Sequence, residues 1–539
     1  MSEAVPPARD WLVCAGLWAS IGLVDAYRMG GSVNPIAWSS VASETALLAV
    51  TGLILGRLGR GFANPAWVPA VLACFVLVRN LPTTWVGVPY VLGVLALTLG
   101  PAVVAVRRGW NLPALVALAC VPLLHVCTDT LRDGGISRWT WPLRHRALAP
   151  MRPGTPIVLV SVDTLRADSA RTMAVWKRLS AEGAWWSSAM STSSWTLPSV
   201  ATILTGLPPD EHGAVCLPSG CQVIAGTARS IAEDLDQAGW RTVGVTSNPW
   251  LSREAHFDKG FQRYFDFGTD PESTLSLGND PYRFPPQRAE GVTEVALREL
   301  EHLEGASFLW VHYIDPHWPY GLNPDVAVKS LRNTVAASEQ DRVREAYAAE
   351  VALVDRQVTR LLDAVHARFG SDVHVLFTAD HGEELWEHDG AEHGHSHHAE
   401  VVEVPLVLSG PSVERGQRAE PASLADIAPT IRYLAGLSKL PSLAHPRAPE
   451  RELTAYGNYA GTRLCSARDA RRRVIVHACD SATPWAEAFD LRADPGEHAP
   501  ERVSIEDPLA QRALSGLPDG TGELLQTGTE ALEALGYVQ

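Results

Sequence analysis

Hydrophobic positions in the first quarter of the chain come in blocks rather than at intervals. Apolar runs cover residues 11 to 27, 38 to 56, 66 to 78, 86 to 106 and 112 to 128. A hydrocarbon core ~30 Å thick needs roughly 20 residues per helix, so about five membrane spans are expected within residues 1–130. The third run is short, which leaves four spans as the alternative. A cleavable signal peptide has one such run; successive runs predict a retained, multi-pass anchor. Arg57, Arg60, Arg107 and Arg108 fall in loops on the side of the N-terminus. That bias predicts a cytoplasmic N-terminus and an extracytoplasmic or periplasmic body on a cell (inner) membrane. Asp25 and Glu44 lie within the spans, where an ionisable side chain is a functional flag.

An interfacial linker carrying Trp139 and Trp141 occupies residues 131–155. After it the pattern changes to short β-rich runs at 156–162, 241–247, 307–314, 372–379 and 404–410, separated by amphipathic segments at 226–238, 291–303 and 341–368. Strands apolar on both faces, alternating with helices, predict an α/β domain over residues 156–450 with a mostly parallel sheet covered by helices. Residues 451–539 show shorter runs and a terminal helical segment at 523–539, read as a small α+β C-terminal part. In such sheets sites form at the carboxyl ends of strands. Here those ends are Asp163, Asn248, Asp315-Pro316-His317 and Asp380-His381.

Charge narrows the partners. Residues 1–150 hold 11 Arg, no Lys and 6 acidic residues, a net +5, which leaves −20 on the rest of a chain whose total is −15. An acidic body disfavours nucleic acid, and an anionic substrate must be captured locally, by a metal or by helix termini. Cys14, Cys74, Cys120 and Cys127 sit in apolar spans as small hydrophobes. Cys216 with Cys221, and Cys465 with Cys479, are spaced for two disulfides in an oxidising compartment.

Asp163, Asp380 and His381 form a mixed carboxylate and imidazole set, which suits Zn²⁺ or Mn²⁺ rather than Ca²⁺. Thr196 opens a helical run with Pro198 in its first turn; it serves there as an N-cap, as a metal-bound nucleophile, or as both. His317 at a strand end is placed to protonate a leaving oxygen or bind a nonbridging one. The loop "HDGAEHGHSHH" holds His388, His393, His395, His397 and His398, of which one or two are expected to matter.

"VLVSVDTLRAD", "SSWTLPSVATILTGLPPDEHG", "VHYIDPHWPY", "FTADHGEELWEH", "HGHSHHAEVVEVPLVL", "DIAPTI", "AFDLRADPGE" and "ALGYV" follow one another through residues 155–539. In this order the chain resembles the sulfatase group of the alkaline phosphatase superfamily. The resemblance implies an alkaline-phosphatase-like fold and a metal-dependent enzyme that cleaves or transfers a sulfate or phosphate ester through a covalent intermediate. Asp163, Thr196, Asp380 and His381 then match metal ligands, with Thr196 also the nucleophile. His317 and His393 match groups that act on the substrate's oxygens, and Asn248 and His395 are expected at the substrate. Where many sulfatases carry Lys and His at the second strand end, Ser247 and Pro249 stand here.

Sulfatases oxidise a Cys or Ser to formylglycine and support it with a nearby Arg; the corresponding positions are Thr196 and Val200. Threonine's β-methyl allows a ketone at most, so formylglycine chemistry is not expected. About five spans followed by an outward domain with a threonine nucleophile is similar to phosphoethanolamine and phosphoglycerol transferases, although those carry Glu at the first metal position rather than Asp163. The leading expectation is a membrane-anchored hydrolase or transferase acting on phosphate or sulfate esters, possessing a divalent metal and a Thr196 intermediate. Its substrate is open and includes lipids and cell-envelope glycans. A lipid head-group phosphotransferase is the second expectation, and an inactive membrane-tethered binding or sensing module the third. Oligomeric state is left open.

Overall fold

The computed structural model describes residues 152–525, except 218–219, 267–287, 321–335, 440–442, 444–449, 460–461 and 519–521. The expected spans, Asp25, Glu44, the linker up to residue 151 and the terminal segment after residue 525 lie outside the described residues. Among the described residues no helix is long and apolar enough to cross a membrane.

In chain order the main body is built from β1 (Ile157–Val162), α1 (Ala174–Glu182), β2 (Ala184–Trp186), α2 (Thr196–Thr205), α3 (Ile231–Gln237), β3 (Arg241–Thr246) and β4 (Arg263–Asp266). There follow α4 (Ala289–Leu300), β5 (Ser307–Tyr313), α5 (Ala337–Phe369), β6 (His374–Ala379), β7 (Leu406–Ser409), β8 (Gly416–Arg418) and α6 (Ile427–Leu434). The strands pair in the order β8-β2-β7-β6-β1-β5-β3-β4. From β4 through β6 the neighbours are parallel. The strand expected at 404–410 is present as β7 but runs antiparallel to both β6 and β2. Its sense follows from the preceding loop: residues 380–405 form only a short strand pair and the four-residue helix Ala399–Val402, so no crossover helix returns the chain to the far end of the sheet.

β1, β5 and β6 are buried along their whole length, as a sheet covered on both faces requires. One helical group, α1, α4 and α5, packs together, and a second, α2, α3 and α6, does the same. α5 owes its 33 residues to a long apolar stripe: Val343, Tyr347, Val351, Val354, Val358, Leu361 and Val365 recur at three- and four-residue steps and are buried. The helix expected from residue 226 begins only at Ile231, because Ser230 accepts from Glu233 N and Glu233 bonds back to Ser230 N in a capping box. α2 stops at Gly206, whose φ of 77° is left-handed and whose Cα lies where a Cβ would strike Pro429 at 2.7 Å. β2, β4 and β8 had no expectation; each has only three or four residues.

The C-terminal part is a five-stranded antiparallel sheet of β9 (Leu453–Tyr459), β10 (Thr462–Arg468), β11 (Arg472–His477), β12 (Trp485–Asp490) and β13 (Glu501–Val503), with α7 (Pro508–Leu514) packed on β10 and β11. Cys216–Cys221 and Cys465–Cys479 are both disulfide-bonded. A buried ion pair fastens this sheet to the main body. Arg473 Nε donates to Glu497 Oε1 at 2.5 Å, and its other nitrogens reach Glu403 Oε1 at 2.9 Å and the His397 carbonyl at 3.2 Å. Glu497 Oε2 accepts from Ala399 N at 2.9 Å and lies 3.2 Å from His398 Nδ1.

Burial alone would raise the Glu497 carboxyl, but Arg473 and His398 hold it down at about 2. A depressed carboxylate adds stability that is complete above its unfolded value, near 4.5, and is lost as pH falls toward 2. Glu497→Gln is therefore expected to cost about 3 kcal/mol at pH 7. In urea unfolding the gap between wild type and variant should narrow steadily from pH 5 to pH 2.

Candidate active site

Sheet register places the two central carboxylates. Val162 at the end of β1 pairs with Tyr313 of β5 and Ala379 of β6, so the residues that follow β1 and β6, Asp163 and Asp380, emerge side by side. The ladder continues one step further: Asp163 N donates to Tyr313 O at 2.8 Å and Asp380 N to Val162 O at 3.3 Å. Thr164 then turns the chain with φ of 53°, strained for a β-branched residue. It is held there by Tyr347 Oη, which donates to its carbonyl at 2.9 Å, and by its own N–H on Asp380 Oδ1 at 3.3 Å.

Thr196 is the first residue of α2, and Trp195, not Thr196, is the N-cap. The hydroxyl is thus released from capping and lies 3.4 Å from Asp163 Oδ2 and 3.3 Å from His381 Nε2. Two contacts fix the helix in that position. Ser199 Oγ donates to the Asp380 carbonyl at 2.5 Å, and Trp195 packs edge-on against Trp250 with ring centroids 5.2 Å apart. Asn248 arrives from the end of β3 on the same loop as Trp250. Its Oδ1 accepts from Trp250 N at 2.9 Å, which aims Nδ2 at Asp163 Oδ2, 2.5 Å away, and at Thr196 Oγ1, 3.5 Å away.

His381 Nδ1 lies 2.9 Å from the Gly382 carbonyl and so carries the hydrogen, leaving the Nε2 lone pair toward Asp163 and Asp380, each 3.5 Å away. Burial, then neighbouring His393, pushes His381 down to about 3, so its imidazole is neutral. Asp380 is pushed well up by burial and by the charge of Asp163. Asp163 is itself buried, yet His312, His317 and His381 keep it well below the usual carboxylate range. Sequence reasoning passed over His312. It lies within β5, its Nδ1 2.9 Å from Ser161 Oγ, and forms with Asp163 and Asp380 a group whose ligand atoms are all within 4.8 Å of one another. An imidazole inside a strand buried on both faces was the available signal.

Asp163 Oδ1, Asp380 Oδ2 and His312 Nε2 are buried without a hydrogen-bond partner. Unpaired carboxylate oxygens crowded together against imidazole nitrogens are what a divalent cation satisfies, and the mixed N/O donors fit Zn²⁺ or Mn²⁺. Asp163, Asp380, His381 and Thr196 would hold it, with His312 at the same carboxylates.

The remaining expected residues divide. His393 lies with its ring 4.5 Å from that of His381 and 5.0 Å from that of His317. His393 Nδ1 is 2.9 Å from Glu383 Oε1, and Glu383 Oε2 accepts from Tyr320 Oη at 2.9 Å. Burial pushes Glu383 up to about 8. His317 Nδ1 is 2.7 Å from the Trp318 carbonyl. His395 turns instead to Glu384 Oε2, at 2.9 Å, and to the His393 carbonyl, at 3.2 Å. Asp315, expected at the same edge, accepts from Ala289 N at 2.9 Å and Arg288 Nε at 3.3 Å; it secures the start of α4.

The sulfatase family profile matches residues 155–437, more than half of the chain. The chain belongs to the sulfatase family. It is 28% identical to the choline-sulfatase of Rhizobium meliloti (strain 1021) over 192 residues, 33% of this chain and 36% of that protein. The match thus spans about a third of the relative's length. A 2-O GAG sulfatase shares the fold with a TM-score of 0.51 at 17% identity, over 67% of this chain and 90% of that one. A phosphonate monoester hydrolase from Silicibacter pomeroyi does so with a TM-score of 0.51 at 17% identity, over 67% and 93%. The alkaline-phosphatase-like sheet expected from the motifs is thereby present. In this sulfatase-family chain Val200, at the position of the expected Arg, is fully buried in the main core.

Two substitutions separate a ligand from its support. Asp380→Asn should weaken Zn²⁺ binding by about 100-fold or more, and Asn248→Ala, which only aims Asp163 and Thr196, by about 10-fold. Equilibrium dialysis against Zn²⁺ reads both.

Proposed function

We propose that this sulfatase-family chain is a metal-dependent esterase that cleaves phosphate esters through a covalent Thr196 intermediate. The observation that carries this reading is the Thr196 hydroxyl, excused from helix capping and set 3.4 Å from Asp163 and 3.3 Å from His381. A divalent cation bound at these carboxylates supplies charge neutralisation and lowers the pKa of the hydroxyl beside it. Thr196 loses its proton to water, and Oγ1 attacks phosphorus as the bond to the leaving oxygen breaks. The leaving oxygen takes a proton from His317 or His393, both of which present Nε2 when Nδ1 is occupied by its carbonyl or carboxylate partner. Water then attacks the phosphothreonine, the Oγ1–phosphorus bond breaks, and the histidine is reprotonated. Asn248 Nδ2 keeps Asp163 and Thr196 in register throughout.

Phosphate is favoured over sulfate by the nucleophile itself. A hydrated aldehyde can expel sulfate by collapsing to the carbonyl; a threonine ester has no such exit and is cleared by attack at the central atom. The proposal also sets the catalytic body outside the cytoplasmic membrane, carried by the spans expected in residues 1–130. It is supported by the Arg distribution around those runs and by disulfides Cys216–Cys221 and Cys465–Cys479.

Incubation with a ³²P-labelled aryl phosphate, followed by acid quench and peptide mass spectrometry, should find label on the peptide containing Thr196. Thr196→Ala should lose label and at least about 10³-fold in turnover; full metal-dependent turnover by that variant would overturn the assignment. His317→Ala and His393→Ala should lose more rate as the leaving group becomes a worse one, because only poor leaving groups need the proton. A slope of rate against leaving-group pKa unchanged from wild type would remove both from that role.

A further inference from the structure

We infer that the histidine-rich loop carries a second cation site, separate from the strand-end carboxylates and built from Glu384, His388 and Glu400. Their ligand atoms all lie within 4.8 Å of one another. His388 Nδ1 is 2.8 Å from Glu400 Oε1, while Nε2 lies 3.1 Å from both the Gly496 and Glu497 carbonyls. A ring nitrogen facing only carbonyls is a donor, so the opposite nitrogen is the one turned to a ligand. This is the orientation that metal-binding histidines take from their backbone partners.

Glu384 is held just as firmly. Its Oε1 accepts from His388 N at 3.2 Å and Gly390 N at 2.8 Å, and its Oε2 lies 2.9 Å from His395 Nε2. Gly390 is needed for this arrangement: a Cβ there would stand 2.6 Å from His395 Nε2 and 2.8 Å from Glu384 Oε1. The carboxylate is therefore oriented by three donors and buried, and His395 acts as its holder, anchored by the His393 carbonyl. One imidazole and two carboxylates select a borderline divalent cation such as Zn²⁺, with water completing the coordination.

The site lies between two parts of the molecule: Glu384 follows Glu383, which holds His393, and His388 rests on the loop of the C-terminal part at Gly496 and Glu497. A filled site would tie the loop that bears His393 to that part.

The test uses the full-length protein carrying Asp163→Asn and Asp380→Asn, which removes the strand-end site and so makes the result independent of the proposed chemistry. After exhaustive dialysis against low Zn²⁺, this parent should retain one ion per chain. Adding Glu400→Gln or His388→Ala should take the retained ion to zero. Melting curves in EDTA identify which of the two leaves the fold intact, and Zn²⁺ should raise Tm only when the loop is unaltered. No ion retained by the parent, or the same amount retained after His388→Ala and Glu400→Gln, as adventitious binding by other histidines would give, overturns the site.

Discussion

Two carboxylates that repel one another, Asp163 and Asp380, are forced together by strand register, and the surrounding structure answers to that constraint. In-register pairing of β1 with β6 leaves their first residues beyond the sheet as fully buried neighbours. Like charges in such surroundings cannot both be accommodated by hydrogen bonds alone. Asn248, His312 and His381 temper Asp163, backbone N–H groups of Thr164 and His381 hold Asp380 Oδ1, and one oxygen of each carboxylate remains unpartnered. The site is thus poised for a positive charge, in a body that is strongly acidic overall.

Precision at Thr196 is obtained from parts that do no chemistry. α2 is buried along all ten residues, and its position is fixed by Ser199 on the carbonyl of Asp380 and by Trp195 against Trp250. The same helix is braced from behind by Thr202, which joins Thr192 to His212. His212 is driven down to about 3 by burial and so stays a neutral strut. Thr196, Asp380 and the Asn248 loop are consequently coupled: displacing one drags the others.

The central sheet and its strand-end residues were legible because each is announced locally. A β-branched run buried on both faces, followed at once by Asp or Asp-His, tells where a strand is and what it delivers. Short strands such as β2 and β4 were not legible, since three or four residues carry too little periodicity and are defined by the neighbours they pair with. The sense of β7 was hidden for a related reason: it depends on the course of residues 380–405, not on the strand's own residues. At the site, Thr196, Asn248 and the Asp-His pair could be read, but His312 was masked by the apolar strand around it. Asp315 lies at the expected strand end but secures the start of α4, a role its place in the sequence does not announce. His395 shows the same limit within a histidine-rich loop, where spacing does not say which ring faces inward.

The Arg473, Glu497 and His398 clasp reaches across 99 positions of sequence from the loop of His393 to the far side of the C-terminal sheet. That loop therefore finds its seat only after almost the whole polypeptide has emerged from the ribosome. Until then His388 and His398 lack their partners at Gly496 and Glu497, although His393 already has Glu383. The loop is clasped late in biosynthesis, and a truncated product would leave it without that support.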